Sequence, residues 1–313
     1  QEEVLVVEQG GARLLDTGTP YLGPEAIGAL PAGEQLLGYL PYQPGMALFG
    51  LPRALAGVTW WTDARVWFAV ATAAALVAGI VALRGRCAAA PLVRAIQFAT
   101  VLPVCALTLA TGGDDLPVLA LCLLALALCA ADRWTAAGLA AGAAAALKLF
   151  AWPVVVVLLA LGWTLGRRPL TRLCVTAIGL PLAALAPALL VDADALVENV
   201  IRFPLGQGLV SSPAQSPFPG YLISVGLPGG RAVAAVLLVG AAVAIGLRLL
   251  RRPPRTAGAA ALISGYGLLV AILLMPATRF GYLLYPLALL AWVPALRRAT
   301  VDRSAVASVS NGT

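Results

Sequence analysis

The sequence predicts an all-α protein, a polytopic bundle of transmembrane helices with re-entrant or half helices and external loops. Of its 313 residues, 61% are hydrophobic and 11% are charged, whereas about a quarter of a soluble domain is charged. The apolar stretches are long and rich in Ala, Leu and Val, whereas a membrane β-barrel shows short segments of alternating polarity. We therefore treat residues 1–313 as a single membrane domain.

Residues 1–61 form the first element, a large loop on one face of the membrane. The segment is rich in Gly and Pro and contains no run near the roughly 20 apolar residues that a full span needs. Aromatic residues of the types that favour the membrane interface occur along it: Tyr21, Tyr39, Tyr42, Trp60 and Trp61. The pattern predicts short helices lying at the interface.

Nine apolar segments follow as candidate spans. They lie at about 62–83, 88–111, 115–131, 135–148, 150–166, 173–191, 231–247, 257–276 and 281–296. The fourth and fifth are short and meet at Lys148 to Pro153, so they are either two spans or a pair of half-depth helices that turn around inside the protein. Six central spans thus fill residues 62–191, and the last three fill residues 231–303.

The remaining segments are predicted to be irregular. Residues 192–230 are rich in Pro, Gly and Ser, which break helices. Residues 304–313 are expected to be a disordered tail.

Arginine placement predicts the orientation. Arginine-rich links alternate with arginine-poor links, and they contain Arg84 and Arg86; Arg133; Arg167, Arg168 and Arg172; Arg248, Arg251, Arg252 and Arg255; and Arg297, Arg298 and Arg303. By the positive-inside rule these links are cytoplasmic, so the loops 1–61 and 192–230 are external. An external start before nine spans needs a helix upstream of residue 1. We expect a multi-pass protein of the plasma membrane.

Composition argues against several function classes. The formal charge is +7, but the arginines fall between apolar spans, so nucleic acid is not an expected partner. The five cysteines lie in or beside apolar spans without a CxxC pair, and the chain has no histidine. We therefore expect no disulfide framework, no metal site and no cofactor.

A few charged residues are placed at the external side of the predicted spans. They are Lys148, the only lysine of the chain; Asp114 and Asp115 at the start of the third span; Arg279 between the last two spans; and Glu2, Glu3, Glu8 and Asp16 in the first loop. Each has a structural explanation as well. The lysine could snorkel to the interface, the aspartates could cap a helix, the arginine could pair with one of them, and the first-loop acids could be solvated.

Together these charges favour chemistry. A cation in the membrane is costly and needs a compensating partner, and cationic side chains beside the external leaflet suit the phosphate of an anionic lipid. A nearby carboxylate could accept a proton from a sugar hydroxyl. The combination indicates glycosyl transfer from a lipid carrier.

The central stretch GGDDLPVLALCLLALALCAADRWTAAGLAAGAAAALKLFAWPVVVVLLAL resembles the signature of the polyprenol-phosphate-dependent mannosyltransferases of glycosyltransferase family 87, within the GT-C superfamily. In that signature a Gly-rich polar turn opens a helix, and a small-residue helix ends in Leu-Lys shortly before Pro. Here ALKLFAWP carries two more residues than usual between Lys148 and Pro153.

Three further segments are similar to the same family. EVLVVEQGGARLLDTGTPYL resembles its first external loop, YLPYQPGMALFGLP resembles its Tyr-x-Pro motif before a re-entrant helix, and ATRFGYLLYPLALLAW resembles its last-helix region. Matching Gly18 and Tyr21 to the Gly-x-x-Tyr ending of the first loop brings Glu3 to the position of the family's catalytic Asp. The extra methylene of Glu is a departure from the pattern.

The resemblance implies an inverting hexosyl transfer, of mannose, from polyprenyl phosphate to a glycolipid or polysaccharide acceptor on the extracytoplasmic face of the membrane. It implies a carboxylate that acts as the catalytic base, with Glu3, Glu8, Asp114 and Asp115 as the candidate catalytic residues. Lys148, Arg279 and Arg202 would bind the phosphate, and Tyr21, Tyr42, Gln43 and Tyr282 would contact the sugar or the acceptor. The expected partners are the donor, the acceptor and membrane lipid.

Two other functions stay open at this stage. Charges within membrane spans also mark the pathways of transporters, so a transporter or flippase of lipid-linked sugars is one alternative. A surface-polysaccharide polymerase would use the same kind of substrate and is the other. The chain shows no inverted repeat of the kind that many transporters have, and its longest loop lies at the start.

Overall fold

The computed structural model describes the backbone of residues 2–310 and the side chains of residues 2–297. Over these residues the chain is α-helical without a named strand. The helices are α1 (Glu2–Thr17), α2 (Pro24–Gly28), α3 (Leu51–Ala56), α4 (Ala64–Leu83), α5 (Ala89–Thr100), α6 (Pro103–Thr111), α7 (Asp115–Ala130), α8 (Trp134–Leu147), α9 (Trp152–Leu165), α10 (Arg167–Val197), α11 (Pro219–Gly226), α12 (Gly230–Arg251), α13 (Ala257–Leu274) and α14 (Leu284–Ser310).

Helices match all nine predicted spans. Within the described residues, five helical segments are long and apolar enough to cross a membrane, and α5 with α6 makes a sixth if the pair is one span. That pair is bent by 51° at Val101 and Leu102, where Pro103 starts a new helix because proline cannot continue the preceding one. The one span predicted at 88–111 thus corresponds to two helices, which together can still form a single bent span.

Helices α7, α8 and α9 are shorter, with 16, 14 and 14 residues, and a full span needs about 20. The second and third of these meet around Lys148, where the backbone is extended (φ −154°, ψ 143°). The fourth and fifth predicted spans are therefore two short helices joined by a break, as the sequence allowed.

The first 61 residues fold against the helical bundle. Helix α1 buries Val4, Val6 and Val7 and packs against a 3₁₀ helix at Pro44–Gly50. Trp60 is 80% exposed, which suits an interfacial position.

Three of the residues predicted to lie at the interface are in fact internal. Tyr21, Tyr39 and Tyr42 are buried, and the hydroxyl of the first donates to the carbonyl of the third at 2.7 Å. A tyrosine can be buried when its hydroxyl finds a partner. The interfacial prediction for these tyrosines is wrong.

Small residues bring α8 and α10 into close contact. Gly138 and Gly142 are spaced as in a GxxxG motif, and such motifs let membrane helices approach each other closely. A Cβ at Gly142 would lie 2.6 Å from the carbonyl oxygen of Thr176, and one at Gly138 would lie 2.7 Å from that of Leu173. This packing fixes the helix that ends at Lys148.

Helix α10 departs from helical geometry near its end. The backbone at Asp192 is non-helical (φ −155°, ψ 91°), and its carboxylate accepts the N–H of Ala195 at 2.8 Å. The break falls at the residue where the sequence predicts the external loop to begin. The backbone of α14 runs as helix to Ser310, which differs from the disordered cytoplasmic tail predicted at 304–313; residues 311–313 lie outside the described residues.

Candidate functional site

Lys148 lies between two carboxylates at one end of the bundle. Its Nζ is 2.6 Å from Oδ1 of Asp115 and 3.0 Å from Oδ2 of Asp114, and all three side chains are buried. The ammonium therefore does not snorkel to the surface. The paired aspartates compensate its charge, as a buried cation requires.

The local backbone explains why these groups meet. Gly112 takes the left-handed conformation (φ +72°, ψ +41°) and ends α6, which is a common role of glycine after a helix. The chain then enters α7, with Asp114 at the position before the helix and Asp115 as its first residue. The side chain of Asp114 forms no capping bond to the start of α7, so the structural explanation by helix capping does not apply to it.

The two short helices α7 and α8 place the charges at a common end. They are joined by a turn of three residues and are antiparallel, so Asp115 at the start of one faces Lys148 at the end of the other. Arg133 precedes α8, and 14 residues of helix separate it from Lys148 by about 20 Å. The triad and this arginine-containing link thus lie at opposite ends of α8.

Aromatic rings surround the lysine. The hydroxyl of Tyr285 donates to Asp115 Oδ1 at 2.7 Å, and the rings of Tyr42 and Tyr282 have their centroids 4.9 and 5.5 Å from Nζ of Lys148. The latter distances are within the range of a cation–π interaction. Phe150 stacks on Tyr285 with a centroid distance of 5.3 Å, so aromatic rings cover part of the ion pairs.

A second ion pair joins Arg279 to Glu3 at the same cavity. Burial alone would raise the pKa of Glu3, but a backbone hydrogen bond and the Arg279 guanidinium hold it below its ordinary value, and Lys148 adds to this. Glu3 is therefore a carboxylate at neutral pH. The structural alternative in which Arg279 pairs with Asp114 or Asp115 does not apply, because its partner comes from α1.

The segment that carries Arg279 is held by the loop 192–230. The N–H of Thr278 donates to Ala214 O at 3.0 Å, the N–H of Ser216 donates to Thr278 O at 2.9 Å, and the N–H of Phe280 donates to Ser216 Oγ at 2.9 Å. This short parallel pairing fixes the backbone on both sides of Arg279.

The charged groups face one cavity of about 350 Å³. Its charged lining residues are Glu2, Glu3, Asp114, Asp115, Lys148 and Arg279. Carboxylates outnumber cations at this lining, four to two. Loop residues of 36–42 and 203–214 form part of its other walls, so both predicted external loops contribute to the cavity.

Several predicted site residues lie outside the cavity lining. Arg53 Nη1 is 2.6 Å from Oε1 of Glu8, which also accepts the N–H of Ala64 at 3.1 Å. Arg202 pairs at 3.5 Å with Asp194 and with Glu198. Glu8 thus ties α1 to the start of α4, and Arg202 belongs to an ion-pair group of its own.

Tyr21 and Gln43 lie one layer behind the site. Tyr21 supports the backbone of Tyr42, and the N–H of Gln43 donates to Leu147 O at 3.1 Å. The 3₁₀ helix after Gln43 approaches α8 so closely that a Cβ at Gly45 would lie 2.6 Å from Ala146 O. These two residues therefore support the cavity from behind, whereas Tyr42 and Tyr282 line it.

Sequence reasoning missed a buried polar group beside the cavity. The hydroxyl of Tyr39 donates to Glu198 Oε1 at 2.8 Å, the N–H of Leu40 donates to Asn199 Oδ1 at 2.8 Å, and Tyr39 stacks on Phe203 at 4.1 Å. Burial and Glu198 raise the pKa of Tyr39 to about 12.

The sequence signal for this polar group was the neighbouring pair Glu198 and Asn199 in a predicted loop. Such a pair is common on protein surfaces, so it did not indicate a buried group. Tyr285 was missed for a similar reason, since tyrosines often end membrane helices.

The described side chains contain no group of three or more Cys, Asp or Glu residues arranged to hold a metal ion. The expectation of a metal-free site stays a prediction.

The comparisons with known proteins identify one family. The model of glycosyltransferase family 87 matches residues 39–276, which is more than half of the chain. The match includes Asp114, Asp115 and Lys148 and ends before Arg279, and Glu3 precedes it. No curated protein and no solved structure matches the chain.

Proposed function

The chain belongs to glycosyltransferase family 87, and from this premise we propose that it is an inverting hexosyltransferase dependent on a polyprenyl-phosphate sugar. It moves a hexose, mannose by the resemblance, to a glycolipid or polysaccharide acceptor. The site faces the extracytoplasmic side of the plasma membrane, and the fold is of the GT-C type.

The single observation that carries the proposal is the buried triad of Lys148, Asp114 and Asp115 at an open cavity. A lone lysine held at 2.6 and 3.0 Å by two carboxylates can exchange one of them for the phosphate of a donor lipid. An ammonium group is a compact point charge with rotatable donors. The ammonium group can keep its hydrogen bonds to the phosphate while negative charge develops on the phosphate oxygens.

Arg279 supplies the second cation for the phosphate. It lines the same cavity as Lys148, and its present partner is Glu3. A guanidinium has five N–H donors, so it can contact the phosphate and keep a bond to the carboxylate. Two cations at the leaving group stabilise the transition state more than the ground state, because charge develops there during the reaction.

Glu3 is the catalytic base in this proposal. The acceptor hydroxyl attacks the anomeric carbon and gives its proton to the Glu3 carboxylate, while the bond from that carbon to the phosphate oxygen breaks. Polyprenyl phosphate leaves with the bonding electrons, and the configuration at the carbon inverts. Glu8 is bound to Arg53 and is absent from the cavity lining, which favours Glu3 over it.

The family membership favours glycosyl transfer over the transporter, flippase and polymerase alternatives. The charges of the candidate site also lie at one end of the short helices α7 and α8, which suits chemistry at one face. We assign the donor phosphate to Lys148 and Arg279. Arg202, paired with Asp194 and Glu198, is not assigned to it.

Transfer from radiolabelled polyprenyl-phosphate mannose to membrane glycolipid in vesicles tests the function. Lys148→Met should lower turnover by about 10²-fold or more, which is the usual effect of removing one charge-stabilising donor. Arg94→Met removes an exposed cation from α5 and serves as the control. Unchanged turnover in Lys148→Met would refute the role of the lysine.

Removing Lys148 leaves two buried carboxylates without their partner, so the variant could fail to fold. The double variant Lys148→Met with Asp114→Asn reduces this imbalance. Lys148→Arg keeps the charge but replaces a point charge by a planar fork. We expect both to be present in the membrane at normal amounts, the first without activity and the second with reduced activity.

A further inference from the structure

A second and smaller cavity adjoins the candidate active site and is not used by the proposed reaction. Its volume is about 180 Å³, and it is lined by residues of the loop 205–215, by α11, by the start of α12 and by the segment 276–277. Ser212, Ala214 and Ala277 line both cavities. The two cavities are therefore neighbours that share part of their walls.

The lining of the second cavity is polar and carries one charged side chain. It contains the hydroxyls of Ser211 and Tyr221, the amide of Gln215 and the guanidinium of Arg231. These groups include both donors and acceptors, and the ring of Tyr221 adds a flat apolar surface. Donors and acceptors beside an aromatic ring fit a ligand that is a small ring bearing hydroxyl groups.

The polar groups are only loosely engaged with each other. The amide of Gln215 donates to Ser212 O at 3.3 Å, the hydroxyl of Tyr221 donates to Gln215 Oε1 at 3.5 Å, and Arg231 Nη1 donates to Gly206 O at 3.1 Å. The first two distances exceed the usual range for good hydrogen bonds. A ligand hydroxyl can replace them at little cost.

The size of the cavity limits what it holds. Complete ligand sites measure about 300–1,000 Å³, so a cavity of about 180 Å³ takes one unit of a larger ligand. Its shared wall with the active site places that unit next to the reacting one. The single arginine of the lining, Arg231, is exposed and donates to Gly206 O.

We propose that this cavity is an acceptor subsite that binds the saccharide unit adjacent to the one being glycosylated. The inference rests on the proposed function and adds to it the acceptor class, an acceptor with at least two sugar units. The wall between the cavities is residues 212–214, and the same loop pairs with the segment of Arg279. An acceptor bound there also stabilises the segment that carries the phosphate-binding arginine.

The test compares acceptors of one and two sugar units. The probes are octyl glycosides of mannose, glucose and galactose, each as a monosaccharide and a disaccharide, with polyprenyl-phosphate mannose as donor. For the wild type we expect kcat/KM to be about tenfold larger for the best disaccharide than for its monosaccharide, which corresponds to about 1.4 kcal/mol. Equal values for the two lengths would overturn the inference.

Two variants assign the effect to the cavity. Tyr221→Phe removes one hydroxyl and Arg231→Gln removes the guanidinium, and each should lower kcat/KM for the disaccharide about three- to tenfold, as expected for a lost hydrogen bond. The monosaccharide rate and the KM for the donor should not change. The controls are Tyr266→Phe, at an exposed tyrosine of α13, and Arg94→Gln, at an exposed arginine of α5.

The outcomes separate the inference from the function. If the wild type transfers to the panel but the two variants keep its preference for disaccharides, the subsite is refuted and the transferase stands. If the wild type transfers sugar to none of the panel but labels membrane glycolipid in vesicles, the inference fails and the transferase stands; if it does neither, both fail.

Discussion

Glu3 and Arg279 lie 276 positions apart in the chain and form an ion pair at the wall of one cavity. The pair joins α1 to the segment between α13 and α14. In the proposed reaction, a donor phosphate would share the Arg279 guanidinium with the Glu3 carboxylate, because a guanidinium has five N–H donors. The shared guanidinium would leave more of the Glu3 carboxylate open to the acceptor hydroxyl than the undivided ion pair does.

The first prediction concerns the base. Glu3→Gln keeps the size of the side chain but cannot accept the proton, so kcat should fall by about 10²- to 10⁴-fold, the usual contribution of a general base. The KM for the donor should stay near its original value, because Arg279 is still present. Initial rates with radiolabelled polyprenyl-phosphate mannose in vesicles provide the measurement.

Glu2→Gln is the matched control, since Glu2 lines the same cavity and is exposed. It should retain most of the activity. Glu3→Asp should retain more activity than Glu3→Gln, because a shorter carboxylate still accepts a proton. A full loss in Glu2→Gln with normal rates in Glu3→Gln would move the base to Glu2.

The second prediction concerns pH. Burial raises the pKa of Glu3, but its hydrogen bonds and Arg279 outweigh this, so the pKa lies below the model-peptide value of 4.5. A carboxylate with a lowered pKa contributes stability above its unfolded value, and this contribution is lost as the pH falls through the folded value. The acidic limb of kcat/KM should therefore lie below pH 4.5.

Arg279→Gln removes one cause of the lowering and leaves the burial in place. The acidic limb should then move to higher pH, whereas Arg94→Gln should leave it where it is. The check is a pair of pH–rate profiles for kcat/KM, measured over the range in which the protein stays folded. A limb that does not move in Arg279→Gln would show that Glu3 is not the titrating base.

The sequence predicts the placement of spans well and long-range pairing poorly. The nine apolar segments all correspond to helices, because hydrophobic length is a local property. The meeting of Lys148 with Asp114 and Asp115 was also accessible, since the three residues lie at connected ends of α7 and α8. The partner of Arg279 could not be predicted from the sequence, because no local feature relates Arg279 to α1.

The errors have similar causes. Tyr21, Tyr39 and Tyr42 were assigned to the interface by residue type, but buried partners for two of their hydroxyls decide their position. The bend between α5 and α6 had a signal, Pro103 in an apolar run. No sequence signal indicated the role of Ser216, since its hydrogen bond with Phe280 depends on how two distant segments meet.

The third prediction concerns helix packing. Gly142→Ala places a methyl group 2.6 Å from the carbonyl oxygen of Thr176, so α8 and α10 must separate. We expect a destabilisation of about 1–3 kcal/mol, typical of overpacking, and a lower yield of folded protein. Gly240→Ala is the control, because nothing lies within 4 Å of that position and alanine favours a helix by about 1 kcal/mol.

The measurement is the thermal midpoint of the two variants in the same detergent or lipid. The midpoint should fall for Gly142→Ala and stay constant or rise for Gly240→Ala. Because α8 ends at Lys148, the Gly142 variant should also lose activity in proportion to the misplacement of the triad. Equal midpoints would contradict the close contact of α8 with α10.

The last prediction concerns the loop that holds Arg279. Ser216→Ala removes the acceptor for the N–H of Phe280 but leaves the two backbone bonds between residues 214–216 and Thr278. Since water can reach the freed N–H, we expect little change in stability and a shift in the position of Arg279. The KM for the donor should rise about three- to tenfold, as for one lost hydrogen bond, while kcat changes less.

Ser216→Thr restores a hydroxyl and should recover the donor KM, which separates a positioning role from a general effect of the substitution. Ser211→Ala is the matched control, because Ser211 belongs to the same loop and lines the smaller cavity. It should leave the donor KM unchanged. An unchanged donor KM in Ser216→Ala would mean that the backbone pairing alone positions Arg279, because the only bond removed is the one that follows it in the chain.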